Sequence, residues 1–352
     1  MKNVLMASSA IVGAAALAAS PAAAQELKLS AFQQFMASGG GADVDSADRS
    51  LGFGTNTEVH VNGSIMADNG ITFGFRVEFE ADAGESNNVD ENSIWASGGF
   101  GKVEMGKNDG AEDTFMVNGS NSGVDYGGVG NPTSNFLSTV YAGDARTSVD
   151  LRGGVDTSDA TKITYTTPNF NGFSAGVSYT PDTSCTTCNA FCGENTSGAH
   201  DNVGIGLGFD GEFNGVGLEL GLVGALAKAD AEPEDTIYGI GGGFAVSFSG
   251  FTIAAGAVFD DLDGNGGEGY AFDLGIGYSA GPWSFSINGI YSEDDDSSDE
   301  LLAGSANVGY NLAPGVNVFL TGFVGEEDFG STVDGESDNQ IVAVTSGLKL
   351  SF

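Results

Sequence analysis

Hydrophobicity in this chain repeats every second residue, segment after segment, and that period admits strands and little else. From Ile71 to Ala81, the side chains of Ile71, Phe73, Phe75, Val77 and Phe79 fall on one face while Thr72, Gly74, Arg76, Glu78 and Glu80 fall on the other. Successive side chains of a strand point to opposite faces, so one face is greasy and the other wet. Trp283, Phe285, Ile287 and Tyr291 alternate in the same way with Ser284, Ser286 and Asn288. Near the end, Val342, Val344, Leu348, Leu350 and Phe352 alternate with Ala343, Thr345, Gly347, Lys349 and Ser351. The residue alphabet agrees: 57 Gly, many Ser, Thr, Asn and Val, and few helix formers in periodic blocks.

Sixteen such segments are expected, at 26–36, 57–66, 71–81, 92–98, 101–107, 161–167, 173–180, 202–210, 215–228, 235–248, 251–260, 268–279, 282–292, 301–312, 316–325 and 339–351. Short turns near Asp68-Asn69-Gly70, Gly99-Phe100, Pro168 to Gly172, Gly211 to Asn214, Ser249-Gly250, Ala280-Gly281 and Ala313 to Gly315 join alternate pairs. Longer links lie between them, at 37–56, 82–91, 108–160, 181–201, 261–267, 293–300 and 326–338; only Ala229 to Glu234 breaks the rule. An even number of antiparallel strands with short turns at one end and long loops at the other predicts an all-β fold, a 16-stranded antiparallel transmembrane β-barrel. A secreted β-sandwich would also alternate, with its apolar face turned inward. Aromatic residues near segment ends (Phe79, Phe251, Phe259, Trp283, Tyr291, Phe352) and mid-strand charges on the wet face (Arg76, Glu78) favour the barrel. Closure also removes the sheet edges that lipid cannot satisfy.

Residues 1–24 read as a secretory signal peptide: Lys2, an apolar run from Val4 to Ala19, the breaker Pro21 and then Ala22-Ala23-Ala24. The domain reading is therefore a signal peptide at 1–24 and a barrel at 25–352. No other stretch reaches the roughly 18 consecutive apolar residues of a membrane helix. The 48 acidic and 11 basic residues give a formal charge of −37, which argues against a nucleic-acid partner. A hydrophobic share of 41%, with 24 Phe and 9 Tyr, argues against disorder.

Three stretches carry a family resemblance: Lys102-Val-Glu-Met-Gly-Lys107 leading into the longest link, Tyr165-Thr-Thr-Pro-Asn-Phe-Asn-Gly-Phe173, and Phe352 on an alternating strand. On these the chain resembles Gram-negative general-diffusion porins, most like the alphaproteobacterial type, over essentially the whole mature length. The resemblance implies a sixteen-stranded barrel in the cell outer membrane, among lipid and lipopolysaccharide, assembled as a homotrimer. It also implies a third loop folded into the lumen and passive diffusion of ions and small hydrophilic solutes; no cofactor is expected beyond Ca²⁺ on acidic loops. Phe352 would be read by the barrel-assembly machinery and serve biogenesis.

In such a pore the longest link brings Asp109, Glu112, Asp113, Asp125 and Asp144, and the wet strand faces bring Lys28, Arg76, Lys102, Lys162 and Lys349. Acids on an inward loop opposite bases on the wall would set up a transverse field that aligns hydrated solutes. Arg76 is the firmest wall residue, because a charge facing lipid at mid-depth costs about 2–4 kcal/mol. Arg146 and Arg152 share the link without a sequence-defined direction. The acid excess predicts a cation-preferring pore. Other readings stay open: loop acids that only solvate an exposed loop, a substrate-specific channel using Tyr126 and Phe136, or an acidic-loop adhesin or structural barrel.

Remaining signals are weaker. Asp261, Asp263 and Asn265 begin a calcium loop, but the position for its bidentate Glu is Phe272, leaving at most a looser Ca²⁺ site helped by Asp260 or Glu268. The run Glu293 to Asp296 with Asp299 and Glu300 reads as a solvated loop, or as a binder of divalent cations that bridge to lipopolysaccharide. Cys185, Cys188 and Cys192 fit one disulfide and an odd thiol, or zinc with His200 as fourth ligand. His60, on a wet face, and His200, in an outer loop, are flanked by no catalytic motif, so the chain is not read as an enzyme.

Overall fold

Strand periodicity becomes sixteen strands: β1 Gln25–Ala42, β2 Gly52–Met66, β3 Thr72–Glu80, β4 Val89–Gly98, β5 Gly101–Lys107, β6 Thr161–Thr166, β7 Phe173–Asp182 and β8 His200–Phe213; then β9 Val216–Ala229, β10 Asp235–Phe248, β11 Phe251–Asp261, β12 Glu268–Ala280, β13 Trp283–Asp294, β14 Asp299–Ala313, β15 Val316–Val333 and β16 Glu336–Ser351. The computed structural model describes residues 25–44, 51–81, 89–123, 146–185, 199–229, 235–262, 267–295, 297–333 and 335–352. The expected signal peptide, Asp263, Asn265, Asp125, Asp144, Tyr126, Phe136, Cys188 and Cys192 lie outside the described residues. Each strand pairs antiparallel with its neighbour in sequence, and β1 pairs with β16 to close the barrel. At this seam Phe32 meets Ser351, and Ala31 and Phe352 exchange backbone hydrogen bonds of 3.3 and 2.9 Å.

The greasy face points out. Ile205, Leu207, Leu222, Ile240, Leu274, Ile276 and Ile287 are all exposed on the barrel's exterior, with no protein layer over them. Two aromatic belts bracket this band, as amphipathic rings do where lipid meets water. At the short-turn end, Phe251 stacks on Phe248 and meets Tyr278 at a tilt, and Trp283 meets Tyr310 edge to face. At the other end Phe259 meets Tyr238, and Tyr270, Phe272 and Tyr291 cluster. There Tyr291 Oη donates to Glu293 at 3.1 Å, so the rings are tethered to polar groups at the rim. Ile287 sits mid-way along β13 and is 68% exposed. Ile287→Arg is expected to destabilise the barrel by about 2–4 kcal/mol in lipid vesicles, read as a lowered urea midpoint; an unchanged midpoint would mean that this face is not in lipid.

Several strands run further than the alternation predicts. The expected loop 326–338 is mostly sheet, since β15 continues to Val333 and β16 begins at Glu336. The loop expected at 293–300 shrinks to the gap between Asp294 and Asp299, and 37–56 to the gap between Ala42 and Gly52. Alternation fades there for a physical reason. Above the lipid both faces of a strand can be polar, as at Glu326, Glu327 and Asp328, while the backbone ladder pairs regardless of side chain. The inner face also departs from a uniformly wet wall. Ile237, Val258, Ile290, Leu301, Phe323 and Ile341 point inward and are buried together with Val149, Leu151 and Val155 of the longest link. The main apolar cluster thus lies inside the barrel, between wall and loop.

Candidate functional site

The longest link enters the barrel because the wall is low where it begins. β5 has 7 residues and β6 has 6, so the chain leaves the sheet part-way up. From there a one-turn helix, α1 Ala111–Thr114, packs on β6 to β9, and a 3₁₀ turn, Gly119–Ser122, packs on β10 to β13. The track beneath them is paved with inward-facing glycines. A Cβ on Gly176 would lie 2.6 Å from the Phe115 ring, and one on Gly256 2.8 Å from Asn118 Cα. Gly204, Gly206, Gly208, Gly221, Gly243, Gly275 and Gly277 likewise leave space that loop atoms from Glu112 to Ser122 fill. Loop and strands advance in the same order, so the loop crosses the strands one after another.

Polar wall groups receive donors from the loop's backbone and from one of its hydroxyls. Ala111 N–H donates to Ser178 Oγ at 3.1 Å, Gly119 N–H to Asp273 Oδ1 at 2.7 Å, and Ser122 Oγ–H to Asn288 Oδ1 at 2.9 Å. The returning leg is fastened by arginines. Arg146 Nη2 lies 2.5 Å from Asp260 Oδ1, Arg152 Nε lies 2.6 Å from the same oxygen, and Arg152 also pairs with Asp294. Asp260 is fully buried, so two guanidinium groups supply the compensation its charge needs away from water. Asn202 Nδ2 donates to the Gly154 and Val155 carbonyls at 3.1 and 2.9 Å, completing the attachment.

This geometry sorts the residues expected from sequence. Asp109 and Asp113 are exposed toward the lumen on the loop. Glu112 is buried against the wall instead, accepting from Thr157 Oγ1 at 2.5 Å and Ser178 Oγ at 2.7 Å, and so acts as an anchor. Lys162 is buried as well, held by the carbonyls of Asn108, Thr157 and Ser158. Arg76 does face the lumen, paired with Glu78 and 3.7 Å from Glu91. Lys28, Lys102 and Lys349 lie toward the short-turn end of the inner wall; Lys28 pairs with Glu26 at 3.1 Å, Lys102 with Glu104, and Lys349 caps the Phe32 ring at 4.1 Å. Asp260 is committed to the arginines and is no helper for a calcium loop; Asp261 ends β11. Cys185 is disulfide-bonded, which removes it from any zinc set, and His200 is a buried strand residue rather than a loop ligand.

Crowding affects the loop acids. The enclosing wall partly desolvates Asp113, and Asp109 and Asp156 add like charge, so its carboxyl is pushed up to about 8. Burial pushes Asp156 and Asp159 up to about 6. The glycine track and the Asp260 clasp have no counterpart among the sequence expectations, although Gly at alternate positions in Gly204-Ile-Gly-Leu-Gly208 marks a face kept free for close approach.

A family model described as Gram-negative porin matches residues 7–330. No curated protein matches the chain. Similar solved structures include the anion-selective porin from Comamonas acidovorans, 17% identical with a TM-score of 0.64 over 93% of this chain and 100% of that one. Vibrio cholerae OmpT in its trimer form is 13% identical, with a TM-score of 0.63 over 94% and 100%. A mutant of the Rh. blastica porin is 16% identical, with a TM-score of 0.57 over 93% and 100%.

Proposed function

The chain belongs to the Gram-negative porin family, and from that premise we propose that this outer-membrane channel is cation-preferring, general in its solutes and assembled as a homotrimer. Passive passage needs a wide polar bore, and sixteen strands are enough to leave one. The sign of the preference is read from charge, since the fold also serves a porin named anion-selective. The observation that carries it is how the bases are used. Arg146, Arg152 and Lys162 are consumed in fastening the loop, and Lys28, Arg76 and Lys102 each have a carboxylate partner. Among the described residues no ion pair joins Asp109 or Asp113 to a base, and the whole chain carries −37. Trimerisation is supported by the trimer form of the OmpT neighbour. The proposal extends to a rim whose acids bind divalent cations bridging to lipopolysaccharide.

Single-channel recording in a planar bilayer under a salt gradient tests this. Conductance steps in multiples of three with a cation-favouring reversal potential are expected; a folded barrel that inserts without conducting ends the open-channel reading, and an anion-favouring potential ends the charge argument. Raising the pH from about 5 to about 9 should strengthen cation preference, because acids with raised pKa values are neutral below them and charged above. Asp113→Asn should flatten the upper part of that pH curve. Arg76→Ala, which leaves Glu78 and Glu91 without their guanidinium, should shift the reversal potential further toward cations.

A further inference from the structure

We propose that Glu58, His60 and Glu78 form a binding site on the lumen wall for one transition-metal dication of the Zn²⁺ or Ni²⁺ class. Glu58 and His60 are two residues apart on β2 and therefore share a face, and the sheet register sets Glu78 of β3 directly opposite His60. Glu58 Oε2 lies 2.8 Å from His60 Nε2, and Glu78 Oε1 lies 3.4 Å from His60 Nδ1. One ring nitrogen and one oxygen from each carboxylate fall within 4.8 Å of one another. Small side-chain rotations bring such a trio to bonds of about 2.0–2.2 Å on a single ion. The His60 and Glu58 side chains keep 22% and 20% of their exposure while Glu78 keeps 7%. An ion can thus arrive from the lumen and complete its shell with water.

The donor set selects the metal. One imidazole with two carboxylates suits Zn²⁺, Ni²⁺, Co²⁺ or Cu²⁺, whereas Ca²⁺ and Mg²⁺ prefer oxygen alone. The ring ligates through a neutral nitrogen. Arg76 provides the counter-charge when the site is empty, through its pair with Glu78. A dication at Glu78 displaces that guanidinium, and Glu91, already 3.7 Å from Arg76 Nε, takes it over. In both states Glu78 keeps a cation beside it, the guanidinium when the site is empty and the dication when it is filled. The neighbouring trio of Glu91, Asp109 and Asp159 also converges, but it has no imidazole to confer this preference.

Isothermal titration calorimetry of the whole folded chain in detergent, with NiCl₂ or ZnCl₂ in the presence of excess Ca²⁺, tests the site. It reads binding whether or not the barrel conducts, so a failed site and a failed channel reading are distinguishable. One saturable site is expected, weakened by more than about tenfold in His60→Gln and in Glu58→Gln and tightened in Arg76→Ala. Variants are compared only where the heat-dependent mobility shift of a folded barrel persists. No saturable heat under Ca²⁺, or the same affinity in His60→Gln as in the parent, overturns the proposal.

Discussion

Asp260→Asn raises single-channel conductance and weakens ion preference, because it unfastens the returning leg of the third loop. Asp260 is fully buried and is contacted by Arg146 at 2.5 Å and Arg152 at 2.6 Å. Removing one partner of a buried ion pair typically costs about 3–5 kcal/mol, since the remaining charge stays desolvated without compensation. The barrel's strand ladders do not depend on this contact, so the cost falls on the loop as local opening rather than on the whole fold. Bilayer recordings and protease cleavage within residues 146–160 of the folded protein read the effect. A double variant, Asp260→Asn with Arg146→Gln, should recover part of the parent behaviour by removing the guanidinium whose carboxylate partner is lost, since Arg152 keeps its pair with Asp294. Parent-like conductance and protease resistance in Asp260→Asn would show that the clasp does not hold the loop.

Gly243→Val acts in the opposite direction. Its Cβ would fall inside the van der Waals envelopes of the Val117 carbonyl oxygen on the loop and the Ala255 carbonyl oxygen on the wall. Overpacking of this kind costs about 1–3 kcal/mol; the loop relieves the Val117 part by lifting toward the barrel axis, and the Ala255 part needs a local shift of the wall. Conductance should therefore fall, with the barrel still folded. Gly322→Val is the control, since a Cβ there meets nothing within 4 Å; its conductance should match the parent. Equal conductance in Gly243→Val and Gly322→Val would mean that the glycine track does not set the loop's height.

Much of the barrel could be read from period alone. β10 runs Asp235–Phe248, the segment that alternation marks, because a strand with lipid on one side and a polar bore on the other must alternate. The extension of β15 to Val333 was invisible, since Glu326 to Phe329 lie beyond the reach of that constraint. Parity also placed Arg76 on the inner face. It could not separate Asp113, open to the bore, from Glu112, one residue earlier and buried under the loop. That difference depends on which wall the helix lands on. Likewise Arg146 meets an aspartate 114 residues further along, a pairing set by the tertiary path and by no local spacing.

Closure of the sheet has a kinetic side. Fifteen of the sixteen strand pairs are formed by neighbours in sequence and can zip as hairpins, while the pairing of β1 with β16 joins segments some 300 residues apart. Loop-closure entropy grows only logarithmically with separation, so this seam is affordable at equilibrium. It is nevertheless the one contact that no local event can make early. Until it forms, the nascent sheet carries two open edges and an uncovered apolar band, the combination most prone to pairing with the wrong chain. The vulnerable species is therefore the unclosed ribbon, and joining β1 to β16 is what ends its exposure.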